Sequence, residues 1–389
     1  MTATQLANPA ETEHAAPERL YSLDALKTRI ERVRAELDTR GLDSMLVSHP
    51  QNRNYLIGFG GEDAPPLDTA GMLIVGRDSL VLVTDGRYTI QAAGELYPEL
   101  GIEVVARQGR VATAIAEQVA KRKYKRLGFE TAHLLHMIWR SIDKSLPDTD
   151  LIPVTRVVEP LRMIKSDDEM AILRKAISIS DQAFNIVSKR LTPGMTEKQA
   201  AWDIERTMRD LGADERAFGT ILASGPNGAM AHAVPGNRLL REGEPIVIDM
   251  GARLDGYNSD MTRTIILGEP TDKFREIYNI VLAAHLAAER GIKAGITGVE
   301  ADKLARDVID AAGYGDTFTH SLGHGIGLEV HEGPGFSKLS EDTIEEGNVM
   351  SVEPGIYIEG WGGVRIEDLV LVRHDDAEVL TLADKHPAY

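Results

Sequence analysis

Two stretches of this sequence repeat one another at a fixed interval, and no other feature narrows the possible folds as much. Pro193-Gly194-Met195-Thr196 opens a segment of helical pattern that closes at Leu211-Gly212. Ala294-Gly295-Ile296-Thr297 opens another that closes at Ala312-Gly313, so Gly, Thr and the closing Gly each recur after 101 residues. After each helix come a strand, a Gly-rich turn and a β segment with an acid ahead of Gly. These acids stand in Asp249-Met250-Gly251 and Glu353-Pro354-Gly355, now 104 residues apart, as loop insertions would produce. Two matching helix-plus-sheet halves predict a pseudo-symmetric domain with its site on the shared axis.

The repeat fills only the second half of a 389-residue chain, a length at which a single core gives way to two domains. Positions 1–19 are rich in Ala, Thr, Glu and Pro and lack a basic region followed by an apolar core. They read as a solvated tail rather than a signal peptide, which makes cytoplasmic location the expectation. From Tyr21 the text turns periodic. Leu23, Leu26, Ile30, Val33 and Leu37 recur at helical spacing up to Gly41. Met45–Val47, Met72–Val75, Leu80–Thr84 and Leu127–Phe129 read as strands, with a helix over Val111–Arg122. This alternation predicts an α/β layer domain at 20–158. The Gly58–Gly71 stretch is long enough for a lid or a subunit contact. Ser166-Asp167-Asp168-Glu169 has the form of a capping box, so a new helix and a second domain, 159–389, begin near there.

Three clusters in the second domain carry chemistry. His320-Ser321-Leu322-Gly323-His324-Gly325-Ile326-Gly327-Leu328-Glu329-Val330-His331 holds three of the chain's 11 histidines, and its alternating glycines predict extended or looped backbone. A phosphate cradle is the rival reading, but no helical pattern follows the glycines. In the second cluster Asp249 closes the apolar strand Ile246–Ile248. An Asp255-Gly256 hairpin turn would return Asp260 beside it. Pairing of Asp260 with Arg263 is disfavoured, because alternation puts them on opposite faces. The third cluster has Glu353 after Met350-Ser351-Val352, then a strand over Val364–Val372 with Arg365 and Glu367 on one face and Asp368 on the other.

Composition decides which partners these residues can take. With no cysteine, disulfides, thiolate catalysis and thiolate metal sites are excluded together. An excess of 60 acids over 43 bases argues against nucleic acid or an anionic membrane as a partner, and no apolar run is long enough to span a bilayer. Asp249, Asp260, His324, Glu353 and Glu367 together offer four carboxylates and one imidazole. Such an oxygen-rich set suits two divalent ions, which can activate a water and polarise a carbonyl. That is hydrolase chemistry.

On these residues the chain resembles the pita-bread metallopeptidases, especially Xaa-Pro aminopeptidase (aminopeptidase P) and Xaa-Pro dipeptidase (prolidase), from about Leu23 to Leu380. The resemblance runs through Asp85–Tyr88, the linker Leu161–Lys165, Gly225-Pro226-Asn227-Gly228 leading to His232, and all three clusters. It implies an α+β fold: a pita-bread (creatinase/aminopeptidase-like) catalytic domain with a pseudo-twofold repeat, preceded by a smaller α/β creatinase N-terminal-like domain. By the same carry-over, Asp260 and Glu367 bridge two divalent ions, expected to be Mn2+ with Co2+ or Zn2+ as alternatives. Asp249 binds one ion, His324 binds the other, and Glu353 is both ligand and general base. His232 and His331 stabilise the tetrahedral intermediate, His320 lines a proline pocket, and Arg365 and Tyr357 join it in binding substrate. A homodimer whose N-terminal loops border the partner's site is implied too, acting on peptides with proline second. Prolidases use basic residues near the covering loop to hold the dipeptide carboxylate. Gly58–Gly71 has Glu62, Asp63 and Asp68 but no Lys or Arg, which favours the aminopeptidase, although Arg53 and Arg365 remain available. Prolidase is the alternative. A creatinase-like amidinohydrolase or a non-catalytic peptide-binding module should have lost ligands, and methionine aminopeptidase does not fit a complete N-terminal domain.

Overall fold

The computed structural model of the chain describes residues 19–63 and 68–385. The segment read as a tail therefore lies outside the described residues except for Arg19, as do positions 64–67 of the Gly58–Gly71 loop. The chain divides into two compact units, Met1–Val157 and Val158–Tyr389. No helix among the described residues is long and apolar enough to cross a membrane.

The first unit is a mixed six-stranded sheet with helices. Its strands are β1 (Ser44–Val47), β2 (Met72–Gly76), β3 (Leu80–Thr84), β4 (Ile102–Ala106), β5 (Arg126–Glu130) and β6 (Asp150–Val154), in the order β4-β3-β2-β1-β5-β6. The β1–β2 and β2–β3 pairs are antiparallel and the other three are parallel. β1, β2 and β3 are buried at every position, which is why they read as unbroken apolar runs. The helix Leu23–Thr39 turns Leu26, Ile30, Val33 and Leu37 inward, and Ser22 caps it. Helices Pro50–Ile57 and His136–Ser145 and strands β4 and β6 escape the sequence reading. β4 and β6 are half exposed and mixed in polarity, so their apolar signal is weak.

In the second unit the repeat is written in the backbone. The paired helices are Glu197–Asp210 and Gly298–Ala311. Thr196 and Thr297 cap them, and the third helical residue, Gln199 or Glu300, reaches back to complete a capping box in each. Both end at a glycine with positive φ, 109° at Gly212 and 83° at Gly313. Nothing lies within 4 Å of a Cβ added at either, so backbone conformation rather than space selects glycine. Gly194 N–H donates to Leu240 O and Gly295 N–H to Ile344 O, the same bond 101 and 104 residues on. One apolar core packs the helices Asp167–Val187 and Glu197–Asp210 on the sheet formed by Ile221–Ser224, Pro245–Met250 and Met261–Ile266. A second core packs Asp272–Gly291 and Gly298–Ala311 on the sheet that includes Gly323–Gly325, Val349–Val352 and Asp368–Val372. The capping box at Ser166 forms as expected and starts the helix Asp167–Val187.

Candidate metal centre

Strand register brings the acids together. Thr262 lies opposite Asp249 across the antiparallel pair Pro245–Met250 and Met261–Ile266, so Asp249, Thr262 and Asp260 project from one face. The excursion between them turns at Asp255 (φ 50°) and Gly256 (φ 84°), a two-residue hairpin turn with both central residues left-handed. In the other half the strand Val349–Val352 delivers Glu353, whose N–H donates to Leu322 O at 2.8 Å. The continuous strand expected over Val364–Val372 is corrected. Gly362–Arg365 and Asp368–Val372 belong to different sheets, and Glu367 between them forms an isolated bridge with Thr262. Glu367 N–H donates to Thr262 O, so the break is the stitch that joins the two half-sheets at the axis. The faces are nonetheless as expected: Arg365 and Glu367 line the cavity, while Asp368 pairs with Arg263 on the far side.

The clustered side chains share a cavity of about 770 Å³. A ring nitrogen of His324 and one oxygen each from Asp260 and Glu367 lie within 4.8 Å of one another. His324 Nε2 is 3.2 Å from Glu353 Oε1 and 3.8 Å from Asp260 Oδ2, while its Nδ1 is 3.0 Å from Gly325 O. A proton on Nδ1 donated to that carbonyl turns Nε2 toward the carboxylates, where its N–H donates to Glu353 and where, once deprotonated, it could ligate a metal. Asp249 Oδ1 and Glu367 Oε1 are buried and receive no hydrogen bond among the described residues.

The electrostatics set what this ring of side chains can hold. Burial, then the charges of Glu367, Asp249 and Glu353, push the Asp260 carboxyl well above its ordinary range. Burial, then Glu353 and Asp249, does the same to Glu367. Burial raises Asp249 too, against the pull of Arg365, whose Nη2 sits 2.6 Å from Asp249 Oδ2. Burial also works against the charge on Glu353, but the hydrogen bond and charge of His324 win and hold it at about 2. Crowded, buried carboxylates with undonated oxygens beside an imidazole fit divalent cations as ligands.

Around this ring, His232, His320 and His331 also line the cavity. Burial, and then the nearby His324 charge, lowers the pKa of His331. Two family models match this architecture: Creatinase/Prolidase N-terminal domain over residues 29–164, and Metallopeptidase family M24 over residues 171–374. The chain belongs to metallopeptidase family M24. It is 36% identical over 365 residues to the Xaa-Pro dipeptidase of Pyrococcus furiosus, covering 92% of this chain and 99% of that one. A solved Xaa-Pro dipeptidase from Bacillus anthracis superposes with a TM-score of 0.87 at 41% identity, covering 92% of this chain and 98% of that one. An X-Pro aminopeptidase from Thermotoga maritima superposes with a TM-score of 0.81 at 36% identity, covering 89% and 97%.

Several residues of this M24 peptidase take places that the sequence did not indicate. Tyr357 is not on the cavity wall. Its hydroxyl sits behind it, 2.9 Å from His320 Nε2 and 2.7 Å from Arg365 Nη1, so it joins two lining residues. Thr262 Oγ1 donates to Glu367 Oε2 at 2.7 Å and accepts from Arg365 Nε at 3.0 Å. Ser351 Oγ accepts from His324 N at 3.0 Å and donates to Glu353 Oε1 at 3.1 Å. Arg53 is not available to substrate. It is fully buried, paired with Asp63, and donates to the carbonyls of Gly61 and Gly71. In a second His-acid group, His285, Glu289 and Asp368, the histidine and Asp368 are fully buried, but Lys385 binds both acids and Arg263 binds Asp368, so its charge is balanced within the protein.

Proposed function

We propose that this M24 metallopeptidase is an Xaa-Pro dipeptidase that hydrolyses the bond ahead of proline, with Asp249, Asp260, His324, Glu353 and Glu367 holding two divalent ions. The observation that carries the metal reading is the buried ring of four carboxylates facing His324 Nε2, with two carboxylate oxygens that have no donor among the described residues. The dipeptidase reading draws support from the two dipeptidase relatives at 36% and 41% identity. It displaces the initial preference for an aminopeptidase, which rested on the acids of Gly58–Gly71. Asp63 is already paired with Arg53, and Asp68 with Arg87, so their charge offers little repulsion to a substrate carboxylate.

When bound, the ions would polarise the scissile carbonyl and activate a water. Glu353, held ionised beside His324, would accept a proton from the attacking water and pass it to the departing proline nitrogen. His232 and His331 donate to the oxygen that gains charge in the tetrahedral state. Burial lowers the pKa of His320, and its Nδ1 lies 2.8 Å from Ser321 O; the neutral ring that donates there accepts from the Tyr357 hydroxyl and offers a flat wall to the proline. Arg365 braces Asp249 and orients the substrate. Mn2+, a homodimer and a cytoplasmic location complete the proposal. Metal analysis of protein purified without added metal, light scattering and cell fractionation test them in turn.

The deciding assay measures alanine release by Mn2+-loaded protein from Ala-Pro and from Ala-Pro-Ala. Faster release from the dipeptide is expected. Release from the tripeptide alone would return the aminopeptidase, and no release from either, with metal bound, would refute Xaa-Pro hydrolysis.

A further inference from the structure

His232 lines the cavity from an exposed loop and makes no hydrogen bond of its own among the described residues, so the placement of its ring depends on how that loop is held. That loop runs from Ser224 to Gly236, and both of its ends return to one carboxylate. Glu197, the first residue of the helix Glu197–Asp210, is fully buried. Its Oε1 accepts from Ser224 N–H and Ser224 Oγ, each at 2.9 Å, and from Asn227 Nδ2 at 3.0 Å. Its Oε2 accepts from Asn227 Nδ2 at 3.1 Å and from Gly236 N–H at 3.0 Å. A main-chain bond from Lys198 N–H to Gly236 O closes the same end.

The other half of the repeat solves the same problem with different residues. Asp302, on the helix Gly298–Ala311, accepts from Leu322 N–H at 3.0 Å and holds Arg306 through its Nε and Nη2, at 2.6 and 2.9 Å. Arg306 in turn donates to Phe318 O at 3.0 Å and His320 O at 2.9 Å. By the 101-residue offset, Glu197 corresponds to Gly298 and Asp302 to Ala201, so neither brace is a relic of the other.

We propose that Glu197 is a positioning residue that fixes the His232 loop for catalysis, as Asp302 with Arg306 fixes His320. The inference rests on His232 facing the substrate, as the proposed function has it. A carboxylate that gathers four donor groups from both ends of one loop does more than cap its helix, for which Thr196 already serves. A ring displaced by about 1 Å can cost on the order of 100-fold in rate.

A double-mutant cycle tests it: Glu197→Gln and His232→Ala, singly and together, with metal content and thermal midpoint measured for each. Gln keeps one acceptor oxygen but presents an amide to donors. Glu197→Gln should lower kcat/KM on Ala-Pro by about 10- to 100-fold in the native background and by less than about threefold in the His232→Ala background, because a misplaced ring cannot be lost twice. Equal losses in both backgrounds would overturn the proposal. Hydrogen–deuterium exchange gives a readout free of turnover: residues 225–236 should exchange faster in Glu197→Gln while the helix Glu197–Asp210 stays protected. Unchanged exchange in the loop would also overturn it. Should Glu197→Gln not fold, Asn227→Ala, which removes one donor, takes its place in both measurements. Inactivity of the unmutated protein would refute the dipeptidase reading, while the exchange result would still decide the role of Glu197.

Discussion

Thr262→Val separates a metal site from a mere cluster of acids. Thr262 is fully buried, and its hydroxyl is the donor to Glu367 Oε2 at 2.7 Å. Glu367 Oε1 already lacks a donor among the described residues, so the substitution leaves both carboxylate oxygens without a side-chain donor there. Arg365 loses the acceptor for its Nε but keeps Asp249 and the Tyr357 hydroxyl. Valine is β-branched and nearly isosteric, so the strand Met261–Ile266 keeps its packing. A hydrogen bond to a charged group is worth about 1.5–3 kcal/mol, and losing the group that orients a ligand typically costs ~10–100-fold in metal affinity, or about 1.4–2.7 kcal/mol. The two ranges agree. The variant should therefore bind Mn2+ about 10- to 100-fold more weakly in competition with a fluorescent chelator near neutral pH. Thr262→Ser, which retains the hydroxyl, should bind like the native protein. Affinity unchanged within about twofold in Thr262→Val, or equally lost in Thr262→Ser, would refute the assignment of Glu367 as a ligand held by this bond.

Three further outcomes are expected. Glu353→Gln should fold, with a thermal midpoint within a few degrees of native, and lose measurable turnover; full activity would remove Glu353 from proton transfer. Chelation should destabilise the protein more at pH 8 than at pH 5. Asp249, Asp260 and Glu367 have folded pKa values above their ordinary ones, so their contribution is present below the unfolded values of 3.8 and 4.5 and is lost as pH rises through the folded values. Bound ions offset that loss, and terms common to both forms cancel in the gap between loaded and stripped melting temperatures; a gap that fails to widen from pH 5 to 8 would contradict the site. Lys198 lines the cavity and has no side-chain partner among the described residues, whereas Arg216 and Arg365 are paired with acids. Lys198→Met should raise KM for Ala-Pro by about 10-fold, because the substrate carboxylate then lacks its ammonium donor, and leave Ala-Pro-amide unaffected; equal effects on both would rule out a carboxylate role for Lys198.

What could be read from the sequence was whatever short-range chemistry fixes. The capping box at Ser166 needs only the third residue of its helix, and the Asp255-Gly256 turn needs only its own backbone. The repeat made Asp249 and Glu353 stand out because an acid ahead of Gly recurs after the strand in each half, 104 residues apart. Interactions made across the fold left no such trace. Tyr357 sits in an ordinary strand, and nothing local says that its hydroxyl meets His320 and Arg365. Arg53 looks like a loop-facing cation until its burial with Asp63 is seen. The break at Glu367 is invisible to alternation, since alternation runs correctly through it from Arg365 to Asp368.

The symmetry of the halves also shows why the site is not symmetric. Asp249 faces Ile221 across its sheet, and the matching partner of Glu353, by the bond from its N–H, is Leu322. Two residues further along each partner strand, the first half has the buried methyl of Ala223 and the second has the imidazole of His324. The first acid is balanced instead by Arg365, 2.6 Å from Asp249, and the second by His324, 3.2 Å from Glu353. Arginine keeps its charge at any pH the fold survives, but the imidazole can give up its proton. Burial works against a charge on His324, yet the hydrogen bond it donates to Glu353 raises its pKa, so taking up an ion there means releasing a proton and freeing Glu353 from the pair. One half of the repeat thus supplies a fixed counter-charge and the other an exchangeable one. It is the exchangeable side that carries the residue assigned to accept the proton from water.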